Sequence, residues 1–182
     1  MTDIAHTVQL LRVKQVGDPP SPWRVVRQLI AGVTAVGFAP RTDLLLVLSH
    51  SGRGVLDAVT GDVVARSDDT DFEDDPYPVS APGIGPLEGQ RIAVAGLWGG
   101  GLRAFTPDGW WVTVIAPDWP EEGVVLVPPD APDPLEDPTA SQLVVAGGYG
   151  PVRAAGFSDT GRTLVVATTR LHVWTRPDPS GA

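Results

Sequence analysis

The chain has 182 residues, 42% of them hydrophobic, and a formal net charge of −9. That apolar content is enough to bury a core and excludes a disordered chain, while the negative charge argues against a nucleic-acid binder, whose phosphate contacts need Lys and Arg. With no cysteine in the chain, disulfides and thiolate metal sites are excluded. The 21 glycines and 19 prolines demand many turns and therefore many short strands, so an all-β chain is expected. Residues 1–14 lack a cationic stretch followed by a long apolar run, and no segment reaches the roughly 18 apolar residues of a membrane helix. The expected location is therefore the cytoplasm. Lys14 is the only lysine, and this arginine bias with abundant Ala, Gly, Pro, Val and Asp is associated with high-GC bacterial coding.

In chain order, residues 7–13 (TVQLLRV) read as a strand, and the prolines of GDPPSP force a turn after it. Residues 23–30 (WRVVRQLI) are short and carry the β-branched Val25-Val26 pair, which favours a strand; Ser21-Pro22 and Gly32 would suit a helix instead. Residues 33–38 and 44–49 are strands, the second (LLLVLS) apolar throughout, as expected of a strand buried on both faces. Residues 55–59 and 63–67 complete a four-stranded antiparallel meander. Residues 67–89 then read as a loop, acidic in its first half and Pro/Gly-rich in its second. Strands are expected at 91–98, 102–106, 110–117 and 123–128, followed by a second acidic, proline-rich loop over 128–141 and a strand from Gln142. Residues 151–177 hold the last three strands.

This last segment echoes the first meander. Gly37-Phe38 matches Gly156-Phe157, Leu44-Leu45 matches Leu164-Val165, and Val55-Leu56 matches Val173-Trp174. In between, Leu102 and Thr106 stand where Leu56 and Thr60 stand, about one repeat of ~40–45 residues further on. Gly156-Phe157-Ser158 followed by Thr160-Gly161-Arg162-Thr163-Leu164 is similar to the F-S-P-D-G-R-x-L link between the first two strands of WD40-type β-propeller blades. Val55-Leu56-Asp57 and Val173-Trp174-Thr175 sit where that family's Trp-Asp pair ends the third strand, although neither has the intact pair. The chain thus resembles a degenerate WD40-like repeat protein. The resemblance implies one domain over residues 1–182, a small or partial β-propeller of about thirteen strands in three to four antiparallel meander blades. It also implies closure within the chain, an early strand (7–13 or 23–30) supplying the fourth strand of the last blade.

Candidate chemistry is sparse. Asp68, Asp69, Asp71, Glu73, Asp74 and Asp75 form the strongest surface signal. They suit a solvated loop that keeps the chain soluble, a basic protein partner, or a cation, the last without the glycine of an EF-hand loop. His6, His50 and His172 have no ligand spacing, and His50 with Ser49, Ser51 and Asp57 lacks a nucleophile elbow. The clusters Gly99-Gly100-Gly101 and Gly147-Gly148 match no phosphate-binding motif and read as turns. Trp98, Trp110, Trp111, Trp119 and Tyr149 fall in or beside the middle repeat, and Trp110 and Trp111 cannot both face one core because strand neighbours point oppositely. The expected function is a non-catalytic protein-binding module, with no cofactor, no metal and no nucleic acid or membrane partner. Its binding residues would be Asp68, Asp69, Asp71, Glu73, Asp74, Asp75, Trp98, Trp111 and Tyr149. A narrower alternative is an immunity or inhibitor protein that neutralises a basic toxin or nuclease. An alternative of another class is a hydrolase or lyase using paired carboxylates in a propeller channel, with Asp57 and Asp43 as the candidates. Self-association is expected only if the ring stays open.

Overall fold

The computed structural model describes residues 4–26, 30–70, 75–76, 79–146 and 150–179. It opens with helix α1 (Ile4–Val13), not the expected strand. Thr7 and Leu11 are buried one helical turn apart, so the segment meets the core along a helical stripe and has no partner strand. Strand β1 (Arg24–Val26) covers the first part of the expected strand at 23–30, whose residues 27–29 lie outside the described residues. The meander follows as β2 (Val33–Phe38), β3 (Leu44–Ser49), β4 (Gly52–Asp57) and β5 (Val63–Ser67). Three of these match expectation and β4 begins earlier, because the turn after β3 is only Ser49 to Gly52.

The stretch read as a loop over 67–89 contains β6 (Asp75–Pro76) and β7 (Val79–Pro82), which pair with β8 (Arg91–Ala93). The expected strand at 91–98 breaks at Val94, and β9 (Ala95–Gly96) pairs instead with β2. Next come β10 (Trp111–Asp118), β11 (Glu121–Val127) and β12 (Gln142–Val145). The chain closes with β13 (Ala154–Phe157), β14 (Thr163–Ala167) and β15 (Leu171–Thr175). The expected strand at 102–106 is reduced to two single bridges, Arg103 to Phe157 and Phe105 to Trp111.

All the sheets are antiparallel: β6-β7-β8, β5-β4-β3-β2-β9, β1-β15-β14-β13 and β10-β11-β12. They stack in that order, face to face. Leu46, Leu48 and Val55 of the β2–β5 meander pack on Ala81 and Ile92 of the first sheet and on Val94 just beyond it. The opposite face, through Leu45, Val47 and Leu56, packs on Val165, Ala167 and Val173 of the third. The third sheet then turns Leu164, Val166 and Trp174 toward Val112, Val124 and Leu126 of the fourth. Period-2 alternation within an all-apolar strand accounts for this: β3 and β14 each serve two interfaces at once. Each fully buried Leu or Val contributes about 1.5–3 kcal/mol. The outer face of the fourth sheet carries Val125, Val127 and Leu143, and α1 lies against β10 there.

Two connections set the geometry of the stack. β1 pairs with β15 in the register Arg24 to Thr175 and Val26 to Val173, so the early strand does complete the last meander. Residues 91–106 cross one common side of the stack. They leave the first sheet at β8 and run beside β2, where the Leu97 amide donates to the Thr34 carbonyl at 3.0 Å. They then meet β13, where the Phe157 amide donates to the Arg103 carbonyl at 2.8 Å, and finally β10 through the Val112 amide and Ala104 carbonyl at 3.0 Å. This strap closes inner edges that would otherwise present unpaired backbone groups.

Strand register also corrects the alignment of the two repeats. Phe38 opposes Leu45, which opposes Leu56; Phe157 opposes Leu164, which opposes Trp174. Leu45-Leu46 therefore corresponds to Leu164-Val165, one residue from the expected match. The turns agree in detail: the Ala39 amide bonds the Leu44 carbonyl as Ser158 bonds Thr163, and Thr42 bonds Ala39 as Gly161 bonds Ser158.

Candidate functional site

The two equivalent turns dock on each other by exchanging aspartates. Asp43 Oδ1 accepts from the hydroxyls of Thr160 and Thr163 at 2.8 and 2.9 Å. In return Asp159 accepts from the Arg41 amide at 2.9 Å and from the Arg103 side chain. The Arg41 amide foremost, and then Arg103, hold the Asp159 carboxyl below its ordinary range. Beside this cluster, the buried Arg176 makes a two-pronged ion pair with Asp108, donates from Nε to the Gly161 carbonyl at 2.8 Å and lies 4.8 Å from the centre of the Trp23 ring. The hydrogen bond from Arg176 brings Asp108 down to about 2. Asp57, the other hydrolase candidate, accepts the Val59 and Thr60 amides in its own turn. Asp43 and Asp57 thus sit in separate turns, Asp43 holding the threonines of the opposite turn and Asp57 the amides of its own.

The histidines are spread out. His6 is exposed on α1, His50 is exposed in the turn after β3, and His172 is half-buried on β15 with its ring stacked on Trp174. Burial first, and the charge of Arg170 second, hold His172 below its ordinary value. Among the described residues no three His, Asp or Glu side chains converge in a way that could hold a metal ion.

The described members of the expected binding set fall in three places. Asp68 and Asp69 are exposed just beyond β5, where Asp69 pairs with Arg53 at 3.2 Å. The backbone of Asp75 lies in β6, so the acidic link joins the outer strands of neighbouring sheets. Asp71, Glu73 and Asp74 lie outside the described residues, as do Gly147, Gly148 and Tyr149. Trp98 sits on the strap and is 78% exposed. β5 and β9 are opposite edges of a five-stranded sheet, four strand spacings or roughly 19 Å apart. The acids and Trp98 therefore occupy opposite rims of the meander and share no small pocket. Trp111 is half-buried on the outer face of the fourth sheet and stacks on Phe105 at 5.9 Å. Its neighbour Trp110 is buried between sheets, edge-on to Trp23 at 5.8 Å.

The residue that sequence reasoning left out of the surface is Trp119, 79% exposed in the turn between β10 and β11. The tetrapeptide Asp118-Trp119-Pro120-Glu121 carried the signal: a proline and flanking acids place that tryptophan at a turn. Leu97 and Phe105 of the strap are also exposed. No protein-family model matches this chain, and no curated protein sequence matches it. Its class is therefore described by its architecture, an all-β stack of antiparallel sheets with one inner strap.

Proposed function

We propose that the protein is a non-catalytic binding module for a basic partner protein, built as a small, degenerate propeller-like stack. The observation that carries this reading is Trp98, 78% exposed on the strap in a chain of net charge −9. A large aromatic left in water forfeits about 1.5–3 kcal/mol of burial, and tryptophans of this kind are the usual anchors of protein interfaces. Asp68 and Asp69, at the opposite rim of the meander, supply a field that steers a cationic partner and raises its association rate.

The test is retention of proteins from a cell lysate on the immobilised chain at low and high salt. A single basic protein held at low salt and released at high salt is expected, with retention lowered about tenfold or more by Trp98→Ala and more modestly by Asp68→Asn with Asp69→Asn. Retention of nothing, or a partner indifferent to both salt and Trp98→Ala, refutes the reading.

A further inference from the structure

The outer edges of the sheets are finished in different ways. β1 and β6 are only three and two residues long, which makes them poor templates for another chain. β12 is overlaid by the N-terminal segment, where the Gly17 amide donates to the Leu143 carbonyl at 3.0 Å. β5 is five residues long and has β4 as its single strand neighbour among the described residues. Its consecutive Val63 and Val64 are 39% and 46% exposed. Val64 is the extra residue of a register shift, Val55 facing Ala65 and Leu56 facing Val63, so the strand bulges there and turns both valines into solvent, while Ala65 packs toward residues 85–87.

Beside this edge the sheet is hollowed. Gly54 of β4 projects no side chain, and an open cleft of about 250 Å³ runs over it, with Val47, Leu56, Val63 and Arg66 in its wall; at Gly52 a Cβ would instead meet the Ser67 carbonyl oxygen at 2.1 Å. A Cβ on Gly54 would meet nothing nearer than the Ala65 carbonyl oxygen at 3.7 Å. Arg66 is exposed and has no ion-pair partner among the described residues. Asp62 precedes β5, and Asp68 and Asp69 follow it. The edge therefore reads acid, cation, acid along its length.

We propose that β5 is the docking edge for an extended strand of the partner, which adds to the meander, sets a carboxylate in the cleft against Arg66 and sets basic side chains against Asp62 and Asp68. This rests on the partner-binding reading and specifies its mode. Main-chain hydrogen bonds to the free edge give affinity, and alternate side chains entering the cleft give specificity. A second copy of the chain is the wrong occupant. In the antiparallel register that pairs all five residues of two β5 strands, centred on Ala65, Asp62 opposes Asp68 at both ends, and like charges directly opposite are destabilising.

The probe is a synthetic seven-residue peptide with lysine at positions 1 and 7, glutamate at position 3 and valine or threonine elsewhere, which laid antiparallel on β5 sets these three opposite Asp68, Asp62 and Arg66 respectively. Two controls accompany it: one with lysine in place of the glutamate, and one N-methylated on alternate amides. In a titration to about 1 mM, amide NMR shifts are expected in Val63–Ser67 and at Gly52 and Gly54. Arg66→Glu should weaken the glutamate peptide about tenfold or more and reverse the preference toward the lysine peptide, while methylation removes binding. Arg66 is exposed, so unchanged thermal unfolding verifies the fold of the variant. No shifts at β5, the same affinity after Arg66→Glu, or a peptide-free dimer abolished by Val64→Lys would each overturn the edge assignment. If lysate retention is unaffected by Arg66→Glu, the edge assignment fails and the partner-binding reading stands; if nothing is retained, the partner-binding reading fails.

Discussion

Asp108 and His172 make stability depend on pH in two separate windows, both in the same direction. Asp108 titrates at about 2 when folded against an ordinary 3.8, chiefly through its hydrogen bond from Arg176. Its contribution is full above about pH 4 and is lost as pH falls through about 2. Because its side chain is 40% exposed, solvent screening leaves about 1 kcal/mol of the nominal value. His172 is lowered by burial, so the unfolded chain takes up its proton first, and stability declines as pH drops below the ordinary value of 6.5. In urea titrations, His172→Gln should flatten the loss between pH 7 and 5, and Asp108→Asn the loss below pH 4. Parallel curves for all three proteins would refute the assignment. Asp108→Ala at neutral pH strands the buried Arg176 head and should lower stability by about 2 kcal/mol. The residue types at these sites were legible, but their pairing was not: Arg176 and Asp108 are far apart in sequence and meet only because two turns and the strap converge.

At the scale of elements, Gly37 and Gly156 explain why the repeat carries a glycine at all. A Cβ on Gly37 would lie 2.1 Å from the Ala93 carbonyl oxygen, and one on Gly156 would lie 2.5 Å from Leu102 Cβ and 2.7 Å from the Arg103 oxygen. Both glycines are where the strap crosses an inner strand, so the repeated Gly-Phe marks a crossing point and not a turn. Gly37→Ala and Gly156→Ala should each lower stability by about 2 kcal/mol or more, since the clash is partly with backbone that cannot rotate away. Gly101→Ala, where a Cβ meets nothing within 4 Å, should change it by less than about 0.5 kcal/mol. Thermal or urea unfolding of the three variants separates the two outcomes. Within the strap, the strand expected at 91–98 is present as two short pieces in different sheets and that at 102–106 as two bridges, because apolar content indicates burial but not which sheet a residue joins. In α1 the burial of Thr7 and Leu11 follows a helical stripe, which the β-branched and apolar content of residues 7–13 obscured.

At the scale of the molecule, sheets separated in sequence are tied by β1, which finishes the sheet of the last three strands, and by α1, which covers the outer face of the fourth sheet. Removing residues 1–26 should bare the β15 edge together with the apolar face of Val125, Val127 and Leu143. Loss of cooperative unfolding and concentration-dependent association, read by calorimetry and light scattering, are the expected results; a monomer that unfolds as the full chain does would contradict this account. The amino-acid sequence by itself determined the all-β class and the first and last meanders, and it narrowed the strand that completes the last one to 7–13 or 23–30. Alternation, β-branched content and turn residues act over a few neighbours and are written locally. Only the tertiary structure decided that Val94 divides a strand between two sheets, that residues 91–106 strap the inner edges, that Trp98 and the described acids face opposite rims, and that β5 has one strand neighbour among the described residues. Each of these depends on which surfaces remain after the sheets have stacked, a condition set by contacts between residues far apart in the chain.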